Sequence, residues 1–287
     1  MKINRMAIKH NAKLIISRTK PSPVLAALIY VGITTVLNWL TMMINGDFYA
    51  LKQALPAVEA QMEAVMSGAS LDYSAFDALY QQASLTPISS ILLLALSVMH
   101  LMMGVGIIIF CFNAAHFKLP AFGNLFDGFA IFGKVLWLNL LQWFFSYLWS
   151  LAGIIPGAII IVLLYSSAGS SSALISISLA LLPFMLLPGI MASYRYRMSF
   201  YIMLDNPQMS ALSCINLSKQ IMLGRKWELF VLDLSFVGWQ LLTLVPFVAI
   251  WVTPYQIITN INFYIALRDF SAFQSGANHN FGGDGTC

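Results

Sequence analysis

The chain has 287 residues, of which 59% are hydrophobic and only 9% charged, and its mean hydropathy is +0.79. Such a composition cannot cover a water-facing surface, so it excludes an ordinary soluble domain and points to a polytopic membrane protein of the all-α class. The formal net charge of +4 is modest, but Lys2, Arg5, Lys9, Lys13, Arg18 and Lys20 all precede the first apolar run, which argues for a membrane surface as partner and against nucleic acid.

Residues 1–20 form a basic N-terminus in which Lys2, Arg5, Lys9 and Lys13 recur at steps of three and four, one stripe along a helix. The stripe suits anionic lipid; read more simply, it is a set of positive-inside topology charges. Val24 to Ile44 has the length of a bilayer crossing and reads as an uncleaved first span. From 45 to 87 the chain turns acidic, with Asp47, Glu59, Glu63, Asp72 and Asp77 against Lys52. This predicts an extracytoplasmic loop with helical pieces over 57–66 and 73–82.

Ile88 to Phe112 is the second predicted span, and 113–128 returns on the inside with Lys118. Phe129 to Tyr165 is long for one crossing and is expected as a single third helix with an interfacial first turn, a tilt, or a kink at Gly153 to Gly157. Leu174 to Met191 is the fourth span, flanked inside by Arg195 and Arg197. Residues 195–228 then form a cytoplasmic connector. Asp205-Asn206-Pro207 reads as a helix start, with an Asx cap and Pro at the first helical position, and Gly224 as a stop. Between them, Ala211, Cys214, Ile215, Leu217, Ile221 and Met222 share one face and Gln208, Ser213, Asn216, Lys219 and Gln220 the other, which predicts an amphipathic in-plane helix over 207–223. Arg225-Lys226-Trp227 follows as a basic and aromatic interfacial anchor.

Leu229 to Leu267 is about twice the length of one span, so re-entry near Val245-Pro246-Phe247 is expected. The total is about six spans in one transmembrane domain over 1–269, with both termini cytoplasmic in the cell membrane and a disordered Gly-rich tail over 270–287. Cys111, Cys214 and Cys287 are scattered without metal or disulfide spacing and read as free thiols.

Within this frame, PGI at Pro188 to Ile190, LDNP at Leu204 to Pro207, GRKW before the fifth span, LSFVGW at Leu234 to Trp239, TPY at Thr253 to Tyr255, and Phe263-Tyr264 resemble a bacterial integral membrane family known only as a domain of unknown function, of the nine-seven-five type. The quoted motifs cover Pro188 to Leu267. Val245-Pro246-Phe247 departs from the glycine-containing turn of that family, which leaves the last bend open. The resemblance implies a multi-span helical architecture and brings no activity, cofactor or catalytic residue.

Polar residues inside apolar spans are the remaining candidates for chemistry, because hydrocarbon leaves them unsolvated. They are His100, Asn139, Gln142, Asp233, Gln240, Asn260 and Asn262. They can line a hydrated path, or each can make an interhelical hydrogen bond. Asp233 lies about one turn inside the fifth span and calls for a basic partner among Lys134, Arg195 and Arg197. Candidate membrane-surface residues are Lys2, Arg5, Lys9, Lys13, Lys219, Arg225, Lys226 and Trp227. Gly153 and Gly157 form a GxxxG interrupted by Pro156, suited to close packing or a kink.

No HExxH, GxSxG, phosphate-binding Gly-rich loop or paired intramembrane aspartates occur, and His116 has no Asp at acyltransferase spacing. The expectation is a non-enzymatic protein without cofactor or metal, acting by contact as an accessory, scaffold or self-protection protein. The expected partners are the bilayer, anionic lipids and a membrane protein. A small-solute, ion or lipid transporter or channel is the alternative class, and a lipid-modifying enzyme the third.

Overall fold

The computed structural model describes residues 4–45, 87–168, 172–243 and 245–281, with a few positions between 56 and 67. Apart from those few positions, the acidic loop expected over 45–87 lies outside the described residues, as do Lys2 and Cys287. The described residues form helices and turns, with no strand among them.

The first helix, α1, is Arg5–Arg18; Asn4 caps it, its side-chain oxygen accepting from the Met6 and Ala7 amides at 3.1 and 3.3 Å. Its buried residues Ile8, Ala12 and Ile15 recur at steps of four and three, the spacing of a single face. That face lies on the last helix of the chain, where Asn262 Nδ2 donates to the Ile8 carbonyl at 3.3 Å. Next come α2, Pro23–Asn45, and α3, Pro87–Ala115. A 3₁₀ turn, Phe122–Leu125, and a single turn of helix α4, Asp127–Ala130, lead into α5, Phe132–Ala168. The expected third helix is thus one long element preceded by a separate short turn.

The chain continues through α6, Ser172–Tyr196; α7, Ser199–Asp205; α8, Ala211–Ile221; α9, Lys226–Leu234; α10, Val237–Leu242; and α11, Pro246–Phe281. Among the described residues three helices are long and apolar enough to cross a membrane: Pro23–Asn45, Pro87–Ala115 and Phe132–Ser166. At 1.5 Å per residue, even the shortest extends about 35 Å.

Three expectations need correction. The connector helix begins at Ala211, not Pro207: Ser210 is its cap, accepting from the Ser213 amide at 3.2 Å, while Asp205 ends α7. A serine in extended conformation supplies the acceptor that the Asx pair was expected to supply. The fifth span is not one rod but two helices of 9 and 6 residues, each too short to cross alone. The break falls at Ser235-Phe236, where the Phe236 amide bonds Asp233 O at 2.8 Å, three residues back, in place of the helical bond four back. Finally, the tail expected to be disordered from 270 is helical through Phe281, the last residue before Gly282-Gly283. No proline interrupts it after Pro254.

The bend expected near Val245-Pro246-Phe247 falls between α10 and α11, with Pro246 at the first helical position, where its missing N–H has no bond to lose. Gly224 ends the connector with φ +74°, a left-handed conformation open to glycine without Cβ strain.

The core is concentrated toward one end of the long helices. Met102 to Ala115 of α3 supplies most of its buried side chains, whereas Ile88, Ile91, Leu92 and Leu94 at the other end of that helix are exposed. Around this end pack α1, the start of α2, the start of α5, the end of α6, the connector helices and the second half of α11. Cys111 and Cys214 are buried free thiols within it.

Helices α5 and α6 project from this packed end as an antiparallel hairpin. Only 6% of the apolar stretch of α5 is buried, against 28% for α3, and among the described residues Trp143, Phe144, Tyr147 and Leu148 are each more than half exposed. Inside the hairpin the backbones touch at Gly153, where a Cβ would stand 2.2 Å from the Met185 carbonyl oxygen. The GxxxG therefore serves packing within the chain.

Candidate functional site

Most of the candidate polar residues are used to join helices. Gln142 of α5 donates to the Tyr196 carbonyl at the end of α6 at 3.3 Å, and Gln240 of α10 to the Gln256 side chain of α11 at 3.3 Å. Asn262 holds α1, as described, and Asn139 donates to Val135 O one turn back on its own helix at 2.9 Å. Each amide that meets a fixed partner is spared the cost of an unpaired polar group in an apolar setting.

Asp233 faces Arg197. Nη1 stands 2.9 Å from Oδ2, with the carboxylate side chain 15% and the guanidinium 38% exposed. The alignment falls short of a hydrogen bond, so the attraction is chiefly one of charge. The Tyr194 ring lies 5.7 Å from the same guanidinium, adding a cation–π contact. Of the other basic residues considered, Lys134 donates to the Pro207 carbonyl at 2.7 Å, while the Arg195 carbonyl accepts from Ser218 at 2.9 Å and anchors α8 under α6.

His100, Asn139 and Asn260 come together around a cavity of about 530 Å³ between α2, α3, α5, α7 and α11, with Tyr30 and Arg197 also on its wall. His100 is half-buried, and Asn260 is buried with its side-chain oxygen unpartnered. Gln142, Asp233, Gln240 and Asn262 lie outside this cavity.

A second polar group draws its members from α7, α11 and the end of α3. Asp205, at the end of α7, accepts through Oδ2 from Arg268 Nη1 at 2.8 Å and from the Tyr264 hydroxyl at 2.9 Å, both on α11. His116, just past α3, places Nε2 3.8 Å from Oδ1, beyond hydrogen-bond reach, while its Nδ1 lies 3.0 Å from the Phe112 carbonyl oxygen. Burial by itself would raise the Asp205 carboxyl. The bonds from Arg268 and Tyr264 and the guanidinium charge outweigh burial and hold it below the ordinary carboxylate range. The signal lies in LDNP and in Phe263-Tyr264, where Asp205 reads locally as part of a cap.

The basic stripe of α1 turns partly inward. Lys9 Nζ donates to Ser235 Oγ at 2.6 Å and lies 4.5 Å from the Phe236 ring centre, so it meets the break between α9 and α10; Lys13 lies over Tyr255 at 5.8 Å. Burial, with the nearby charges of Arg5 and Lys13, lowers the Lys9 pKa. In the connector, Lys219 bonds Asn216 at 3.1 Å and lies over Phe145 at 5.4 Å, and Arg225 pairs with Glu228 at 3.2 Å and covers Phe270 at 4.7 Å. Trp227 is exposed and stacks on Phe230 at 5.1 Å.

Fold and polar groups together define an all-helical protein, with long apolar helices splayed from a compact end that buried polar contacts hold together. The chain belongs to the family described as Protein of unknown function (DUF975), which it matches over residues 1–271. Neither a curated protein nor a solved structure matches it significantly.

Proposed function

We propose that this chain is a multi-pass protein of the bacterial cytoplasmic membrane, with about six membrane segments, that acts by contact as an accessory or scaffold protein. The observation that carries the reading is the use made of its intramembrane polar residues. Gln142, Gln240 and Asn262 each meet a partner on another helix, and Asp233 meets Arg197 in the turn after α6, the signature of side chains that hold a bundle together. The sparsely buried α5–α6 hairpin adds a broad apolar face for lipid or a membrane-protein partner. In this topology both termini, the connector and Lys118 face the cytoplasm, and the acidic loop faces outward.

A second reading, passage or binding of a small polar solute, draws on the cavity lined by His100, Asn139, Arg197 and Asn260. The test is one comparison. On the contact reading, purification in mild detergent recovers a specific membrane-protein partner, and the double change His100→Ala with Asn139→Ala, both on the cavity wall, leaves that association intact. Solute flux in proteoliposomes, abolished by the same double change, would favour transport instead.

A further inference from the structure

The crevice that closes α1 against the end of α3 is lined by a second basic set, distinct from the stripe. Arg18, Lys20 and Lys118 border a cavity of about 720 Å³ with Asn11 and Thr19, and no acidic side chain contributes to its wall. Among the described residues none of the three cations is in an ion pair, unlike Arg197, Arg225 and Arg268. Three cations that converge on one concave site with no counter-ion create a local positive potential that an anion relieves.

Placement narrows the anion. The crevice lies where α2 begins at Pro23 and the antiparallel α3 ends at Ala115, the common end of two helices able to cross a membrane. Its rim carries Phe117 and Leu119, 89% and 93% exposed. Phe117 is held at φ +55°, a left-handed conformation that is unfavourable for a bulky residue. The Lys118 amide bonds Asn113 O at 3.0 Å, closing the α3 terminus in that shape. Phe117 is thereby left outside the core, beside the cations.

We infer that this crevice binds the phosphate-bearing headgroup of an anionic lipid: Arg18, Lys20 and Lys118 meet the phosphate, and Phe117 and Leu119 lie against the acyl chains. Arg18 offers a planar pair of donors matched to phosphate oxygens, the lysines add point charge, and the Asn11 amide is a further donor. An apolar rim beside the charge separates a lipid from free phosphate, because a soluble anion gains nothing from it. The inference rests on the proposal that the chain is membrane-inserted.

The experiment uses the full chain in mild detergent. Binding of phosphatidylglycerol, of phosphatidylcholine and of inorganic phosphate is followed by native mass spectrometry and thermal shift, and insertion into vesicles of each lipid is scored separately. The paired change Arg18→Gln and Lys118→Gln should weaken phosphatidylglycerol binding roughly fivefold per charge removed. A control pair, Lys219→Gln and Lys226→Gln, removes the same charge elsewhere and should change it less than twofold. Leu119→Ser should weaken lipid but leave phosphate unchanged. The single change Lys118→Gln, at an exposed position, serves if the pair lowers the lipid-free melting temperature. Equal weakening by the control pair overturns the site in favour of diffuse surface charge. Phosphatidylglycerol binding unchanged by Leu119→Ser, with inorganic phosphate bound as tightly as the lipid, overturns the lipid assignment. Insertion into vesicles with no lipid preference overturns this inference alone, whereas failure to insert into either vesicle overturns it together with the membrane reading.

Discussion

Replacing Asp205 by alanine removes the anion on which α7, α11 and the end of α3 converge. The loss is threefold. Arg268 gives up a charge-assisted bond of 2.8 Å, ordinarily about 1.5–3 kcal/mol, but its side chain is 41% exposed and rehydrates, so the low end applies. Tyr264, a buried residue, loses the acceptor of its hydroxyl, at about 1–3 kcal/mol for an unsatisfied group. His116 loses the facing charge. Together these give about 3 kcal/mol for Asp205→Ala and about 1–2 kcal/mol for Asp205→Asn, which keeps a neutral acceptor for Tyr264. Unfolding in mild detergent, with Arg268→Gln and the double variant, should return a coupling of about 1 kcal/mol. An Asp205→Ala variant within about 0.5 kcal/mol of the parent, or zero coupling to Arg268, would refute the reasoning.

The same carboxylate sets a pH dependence. Its folded pKa is depressed, so the stability it contributes is present above the unfolded value near 4 and is lost as pH falls through the folded value. The stability gap between the parent and Asp205→Asn should be constant above about pH 6 and shrink below about pH 4. Arg197→Gln leaves Asp233 without its counter-charge and should cost about 2–3 kcal/mol in the same assay, whereas adding Asp233→Asn should recover part of the loss. Gly153→Leu places a side chain where even a Cβ meets the Met185 carbonyl. It should separate α5 from α6, read as loss of a cross-link between cysteines placed at Ser150 and Gly189. Gly224→Val forces a β-branched residue into the left-handed region and should destabilise by about 1–2 kcal/mol in thermal unfolding.

The long apolar elements were readable because span length and helix composition are local properties. Val24–Ile44 and Ile88–Phe112 differ from α2 and α3 by only a few residues at each end. In the connector Cys214, Ile215 and Met222 are buried, and Leu212 and Leu223 are exposed. The break at Ser235-Phe236 was not readable, because no proline or Gly-rich turn marks it in the sequence. The His116, Asp205, Tyr264 and Arg268 group escaped for a different reason. Its members come from three elements far apart in the chain, and each had a sufficient local explanation. Arg197 was one of three partners considered for Asp233, and only tertiary packing distinguishes it from Lys134 and Arg195.

The central claim is a multi-pass protein with its basic end in the cytoplasm, and accessibility to a membrane-impermeant thiol reagent in intact cells tests it most directly. In a Cys287→Ser background the remaining native thiols, Cys111 and Cys214, are buried. Single cysteines at Lys118 and Lys226 should then react only after permeabilisation, and one at Ser67 should react in intact cells. Labelling of Lys118→Cys or Lys226→Cys in intact cells, or protection of Ser67→Cys there, would contradict the account.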